Sequence, residues 1–166
     1  MQTVNVAQTP QADAAVHAAT IDKYKRYVNT SFVASVEPVV IQRAEGATVW
    51  DADGTAYLDC FAGISVVNAG HRHPRVIAAV RDQLEHVVHA ATYLYHVPVV
   101  ADLAEALARI APGDLTKSFF GNSGAEGIET AIRLAKAYTG RHEVITLTHS
   151  FHGRTAGTLS ITGNKA

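Results

Sequence analysis

The chain has 166 residues, enough for one domain with a real core and too few for two large ones. Its hydrophobic fraction of 48% and charged fraction of 17% are those of an ordinary globular protein. A formal net charge of −1, with no run of Lys or Arg, gives no reason to expect nucleic acid or an anionic membrane as partner.

Residues 1–12 are polar and expected to be mobile, and they lack the basic stretch and apolar run of a signal peptide. No apolar run approaches the roughly 20 residues that cross a bilayer, so a cytoplasmic location is expected. Residues 13–68 read as an N-terminal helix followed by a small β-meander. Positions 13–28 have weak helical patterning. Val39-Val40-Ile41, Thr48-Val49-Trp50 and Ala56-Tyr57-Leu58 are short β-forming runs, separated by Glu45-Gly46 and by Asp51-Ala52-Asp53-Gly54. The one cysteine, Cys60, excludes an intrachain disulfide framework and fits a reducing compartment. Its flanks in YLDCFAG predict a small buried hydrophobe rather than a reactive thiol.

From residue 69 to 166 helix and strand alternate. Pro74 suits the first turn of a helix, and Val76, Ile77, Val80, Leu84, Val87 and Val88 follow with helical spacing. Pro98 opens a second helix with Val100, Leu103, Ala104, Leu107 and Ala111 on one face, stopped by Pro112-Gly113. Ser118-Phe119-Phe120 is expected to be a strand leading into Gly121-Asn122-Ser123-Gly124. A third helix follows, with Ile128, Ala131, Ile132, Ala135 and Tyr138 inward, Glu129 and Arg133 paired at i,i+4 outside, and Gly140 as C-terminal cap. Val144-Ile145-Thr146-Leu147 is expected to be a second strand of the same sheet. Strand–helix–strand with short loops predicts an α/β fold with parallel strands. Such a sheet buries both faces and needs several strands, so the chain is expected to be the N-terminal, truncated part of that fold.

Two stretches carry chemistry. Gly121-Asn122-Ser123-Gly124-Ala125-Glu126 sets a small loop between a strand and a helix. Helix N-termini present unpaired N–H groups and the positive end of the macrodipole, so a phosphate binds there readily. Gly124 permits close approach and Ser123 adds a hydroxyl. The plainer reading is that Ser123 or Asn122 caps the helix, with Glu126 completing a capping box. Neither a Gly-Lys-Ser/Thr loop nor dinucleotide-fingerprint spacing is present. The second stretch, Thr148-His149-Ser150-Phe151-His152-Gly153-Arg154-Thr155, falls at the carboxyl end of the next strand, where α/β sheets bind ligands. Phe151 could stack on a flat ring and Arg154 could pair with a carboxylate, against the plainer roles of a core Phe and a surface Arg. Together the stretches describe a site for a planar ring bearing a phosphate.

Metal readings are weaker. Asp51-Ala52-Asp53-Gly54 opens like a calcium loop, yet no acidic residue stands near its twelfth position, so a hairpin turn is expected. His71/His73 and His149/His152 have spacings that zinc could use but lack a patterned third ligand, and no metal is expected.

The string NSGAEGIETAIRLAKAYTGR, followed by FHGRT and preceded by DGTAYLDC and GISVVNAGHRHPRVIAAV, resembles the class III pyridoxal-phosphate-dependent aminotransferases. The 4-aminobutyrate, acetylornithine and ornithine enzymes are of this family, and the likeness runs from about residue 30 to 166. It implies a fold type I transferase, entered through the small meander and the start of the large cofactor domain. It implies pyridoxal 5'-phosphate as cofactor, with Ser123, Gly124 and Ala125 at the phosphate, Phe151 on the pyridine ring and His152 beside it. Ile64 and Arg154 match substrate positions, Arg154 one that meets a carboxylate. The partners implied are an amine-bearing donor such as an ω-amino acid, a 2-oxo acid acceptor, and a second subunit in a homodimer. Gly127 departs from the family's usual alanine, a difference of about 1 kcal/mol in helix propensity. The Schiff-base lysine and the acid partner of the pyridine nitrogen lie downstream in the family. Lys23, Lys25, Lys117, Lys136 and Lys165 do not match that lysine, so no catalytic residue is assigned and the chain is expected to be inactive alone. Two other readings stay open: a decarboxylase, aminomutase or racemase with the same cofactor, and a non-catalytic phosphate-binding or dimer-forming module.

Overall fold

In the computed structural model, residues 14–163 are described, Phe32 and Ala34 excepted. The expected mobile segment, residues 1–12, and Lys165 lie outside them. The chain divides into two compact units, one ending at His89 and the other beginning at Ala90.

In the first unit, helix α1 (Ala14–Tyr27) ends with Lys25 and Arg26 in its last turn, complementing the helix dipole. His17 of α1 lies 2.5 Å from the Asp53 carboxylate and 3.2 Å from the Pro38 carbonyl, tying the helix to the sheet. That sheet is the predicted meander: β1 (Ile41–Glu45), β2 (Thr48–Asp51) and β3 (Ala56–Leu58), antiparallel in sequence order. Glu45 pairs with Thr48 across the first turn, where Gly46 takes a φ of +58°, and Trp50 pairs with Ala56. β1 begins at Ile41 rather than Val39, and a bulge follows before Arg43, which lies 4.5 Å over the Trp50 ring.

The Asp51-Gly54 stretch is a hairpin turn. The Asp51 carboxylate accepts from the N–H groups of Asp53 and Thr55 and from the Tyr57 hydroxyl. The Tyr57 bond is the largest influence holding Asp51 below the usual carboxylate range. Asp51 and Ala52 form the small buried centre of this unit. Cys60, expected to be buried, is exposed: it follows β3 at the start of a surface turn rather than sitting within a strand.

That turn, α2 (Ala62–Ser65), contradicts local propensity. Ala62, Gly63, Ile64 and Ser65 have φ between +50° and +64°, a single turn of left-handed helix. Asp59 secures its entrance, accepting from Phe61 N at 2.9 Å and Ala62 N at 2.8 Å with one oxygen and facing His71 Nε2 at 2.6 Å with the other. The His71 backbone bonds in turn to Gly46, where Gly70 approaches so closely that a Cβ on it would lie 3.3 Å from Gly46 Cα. Helix α3 (Pro74–Leu84) has Pro74 in its first turn as expected but stops before Val87 and Val88. The Gln83 side chain there donates to the Val87 carbonyl in the closing turn.

The second unit contains α4 (Pro98–Ile110), α5 (Gly124–Thr139) and α6 (Ala156–Ser160). α5 ends at Gly140, whose φ of +67° makes it the left-handed cap that the sequence predicts. α6 is absent from the sequence expectations, although Thr155 and Thr158 form a reciprocal capping box at its start. Residues 118–120 and 144–147, expected to be parallel strands, pair with nothing among the described residues. A strand of a parallel sheet needs at least one hydrogen-bonded neighbour and cover on both faces. Here Phe119 is 70% exposed and Ile145 98%. For the same reason the apolar helix faces stay open: Tyr138, expected to face inward, is 90% exposed.

Candidate functional site

The site grows from the start of α5. Ser123 is extended (φ −149°, ψ 159°), and its hydroxyl accepts from Glu126 N at 3.2 Å, so it is the helix cap. Glu126 does not complete the expected capping box. Its carboxylate reaches one residue further back, to Asn122 N at 2.5 Å. That leaves the N–H groups of Gly124 and Ala125, which helix geometry denies an intrahelical partner, at the positive end of the helix. The Ser123 hydroxyl, accepting one bond, keeps its own proton to donate.

Space exists for what those groups would hold. A Cβ placed on Gly124 meets nothing within 4 Å. Gly124, Ala125 and Ile128 line a hollow of about 420 Å³ together with Phe151, His152, Gly153 and Arg154. That volume falls within the range of about 300–1,000 Å³ usual for small-molecule sites. The two stretches singled out by sequence, 121–126 and 148–155, therefore face one cavity. The α5 start and the loop thus bring backbone donors for an anion and an aromatic ring to the same hollow, with Ser123 next to it but not among its lining residues, so the residues present fit a phosphorylated planar ring.

The wall bearing Phe151 is built by a loop whose bonds were not foreseen. Thr146 Oγ1 donates to the Ile161 carbonyl at 2.7 Å and lies 3.4 Å from His152 Nε2. His152 N donates to Thr162 Oγ1 at 3.2 Å. Gly153 takes a φ of +133°, and a Cβ there would come 2.6 Å from Thr158 Oγ1 and 2.8 Å from Ala125 Cβ. Only glycine fits this junction of loop and helix. The Arg154 guanidinium stands 5.0 Å over the Phe151 ring.

Glu129 corrects an expectation. Placed by spacing on the outer face of α5 with Arg133, its carboxylate instead accepts from Thr155 Oγ1 at 2.5 Å, Gly157 N at 3.0 Å and Thr158 N at 3.3 Å. The Thr155 hydroxyl is the largest influence on its pKa, and it and the two N–H groups hold the carboxyl below its usual range, with Arg133 a lesser influence.

Ile64 lies in the first unit, on the left-handed turn, 74% exposed. The four described lysines, Lys23, Lys25, Lys117 and Lys136, are exposed, and none lines the hollow. Among the described residues no group of three or more His, Cys, Asp or Glu is gathered as a metal site, and no helix is long and apolar enough to cross a membrane.

Comparison with solved structures fixes the fold class. The chain superposes on a taurine:2-oxoglutarate aminotransferase from Bifidobacterium kashiwanohense, solved in complex with PLP and glutamate, with a TM-score of 0.81. The two are 29% identical, and the match covers 89% of this chain and 33% of that one. The fold is thus the α/β architecture of the fold type I transferases, of which this chain forms a part. The family model described as aminotransferase class-III matches residues 31–166. An acetylornithine aminotransferase from Methanothermobacter thermautotrophicus is 44% identical over 78% of this chain and 32% of its own length. A 5-aminovalerate aminotransferase from Pseudomonas aeruginosa is 45% identical over 79% and 31%. An isoleucine 2-epimerase from Lentilactobacillus buchneri is 39% identical over 87% and 32%. The chain belongs to the class III aminotransferase family, and it spans about a third of the length of these relatives.

Proposed function

We propose that this chain is the cofactor-gripping part of a pyridoxal-phosphate-dependent aminotransferase that passes an amino group from an amine-bearing donor to a 2-oxo acid. One observation carries the reading: the start of α5 and the Phe151–Arg154 loop line the same hollow. The Gly124 and Ala125 N–H groups and the Ser123 hydroxyl bind the phosphate, helped by the dipole of a 16-residue helix. Phe151 bears the ring face, with His152 at its side. Arg154 offers a planar guanidinium to a substrate carboxylate, leaving the Phe151 ring to do so, and Ile64 is carried over from the family resemblance as a further substrate-binding residue. Both substrate roles favour an ω-amino acid. When bound, pyridoxal phosphate supplies the electron sink that the exchange of an amino group requires. By the family resemblance the covalent lysine and the acid partner of the ring nitrogen are supplied from further along the sequence, and the chain alone is expected to be inactive. The complete enzyme acts as a soluble cytoplasmic homodimer.

The test uses the full-length protein. Equilibrium dialysis is expected to show far tighter binding of pyridoxal phosphate than of inorganic phosphate, and glutamate is expected to form from 2-oxoglutarate with 5-aminovalerate or N-acetylornithine. Equal affinity for the two phosphates would leave only an anion-binding module. The similarity to an isoleucine 2-epimerase favours a second reading, a racemase using the same hollow. Inversion of an amino acid without consumption of the 2-oxo acid would select it.

A further inference from the structure

We propose that Glu129 is a positioning residue, which fixes the Phe151–Arg154 wall at its working separation from the start of α5. Glu129 is not among the residues lining the hollow. It stands one turn beyond Ala125 on the same face of α5, and helical side chains lean back towards the N-terminus. From there its carboxylate collects the Thr155 hydroxyl and the N–H groups of Gly157 and Thr158, reaching 26 to 29 residues along the chain. Gly157 is pressed so close that a Cβ on it would strike the carboxylate.

The consequence passes to the hollow through a short rigid path. Thr158 is fully buried, and its hydroxyl lies 2.7 Å from that of Thr155. Gly153 packs between Thr158 and Ala125, and Gly153 is flanked by His152 and Arg154. Thr146 ties one end of this loop to the Ile161 carbonyl, and three donors on one ionised carboxylate tie the other to α5; bonds to a charged acceptor are stronger than neutral ones. All three donors meet the same oxygen, Oε1, so a glutamine can keep an acceptor in place and loses only the charge that strengthens the bonds.

The cofactor arm of the test rests on the reading of the hollow given above; the exchange arm does not. In the full-length protein, Glu129→Gln is expected to raise hydrogen exchange in residues 151–158 while leaving the 41–58 meander unchanged. It is expected to weaken pyridoxal phosphate binding about tenfold, a shift of the size of one charged hydrogen bond. Inorganic phosphate, held at the α5 start alone, should bind as in the parent, because Ser123 and Glu126 are untouched. A general loss of stability would move both ligands together. Glu129→Asp, which keeps the charge, should recover part of the pyridoxal phosphate affinity. Should Glu129→Gln not fold, Thr155→Val removes one donor and is read in the same way. Unchanged exchange in 151–158 overturns the proposal, as does equal weakening of both ligands. A parent protein indifferent to pyridoxal phosphate would instead count against the cofactor reading, with the exchange arm still deciding the role of Glu129.

Discussion

Gly153→Ala tests whether the hollow is built as described. At a φ of +133° an L-residue is strained, by about 1–3 kcal/mol. The new methyl would stand 2.6 Å from Thr158 Oγ1, 2.8 Å from Ala125 Cβ and 3.1 Å from Thr158 Cβ. Thr158 is fully buried and Ala125 belongs to a helix, so neither has room to yield, and overpacking of this kind costs about 1–3 kcal/mol more. The combined loss of about 2–6 kcal/mol corresponds to a fall in melting temperature of at least about 5 °C for a domain of this size. Gly127→Ala is the matched control. It lies inside α5, and a Cβ there meets nothing within 4 Å. That change should stabilise by about 0.5–1 kcal/mol through helix propensity alone. Thermal unfolding followed by circular dichroism reads both. If Gly153→Ala melted within about 1 °C of the parent, the close packing of loop on helix, and the hollow it defines, would be wrong.

Three further outcomes are expected. Ser123→Ala removes the α5 cap, lowering stability by about 1 kcal/mol in urea unfolding, and reduces phosphate affinity in the same dialysis experiment. Arg154→Lys keeps a cation near Phe151 but loses the bidentate fork, so it should raise KM about tenfold for carboxylate-bearing amines and leave simple amines unaffected; equal changes would assign Arg154 a structural role. Asp51, Asp59 and Glu129 all have folded pKa values below their ordinary ones. The stability they confer is complete above the unfolded carboxylate value of about 4 and is lost as pH falls through the lower folded values. Stability from urea titrations should therefore fall below about pH 4, and less steeply once Glu129 is replaced by Gln.

Local signals gave the helices and hairpins: Pro74 and Pro98 at helix starts, Gly140 at a helix end, and the Asp51–Gly54 turn between β-forming runs. The hollow was legible because both its walls carry short motifs whose residue types suit a phosphate and a ring. What escaped was non-local or contrary to propensity. Glu129 looks like half of a surface ion pair, since nothing in its neighbourhood points 26 residues ahead to Thr155. The short α6 was detectable only from a Thr-x-x-Thr capping pattern, without charge or apolar periodicity to support it. Residues 118–120 and 144–147 show the reverse error. Their composition is that of buried strands, but pairing depends on neighbours that composition does not supply. Cys60 was misplaced because the chain leaves β3 for a left-handed turn that Ala, Ile and Ser do not announce.

That turn bears on how the protein can vary. Three non-glycine residues held at positive φ represent roughly 3–6 kcal/mol of unfavourable backbone conformation. Asp59 and the hydrogen bonds it accepts oppose the relaxation. Since a carboxylate at position 59, rather than burial of the side chain, dictates the path, the group displayed at position 64 is free of packing obligations. Exchange of Ile64 for other residues would alter what is displayed while the turn itself stays in place.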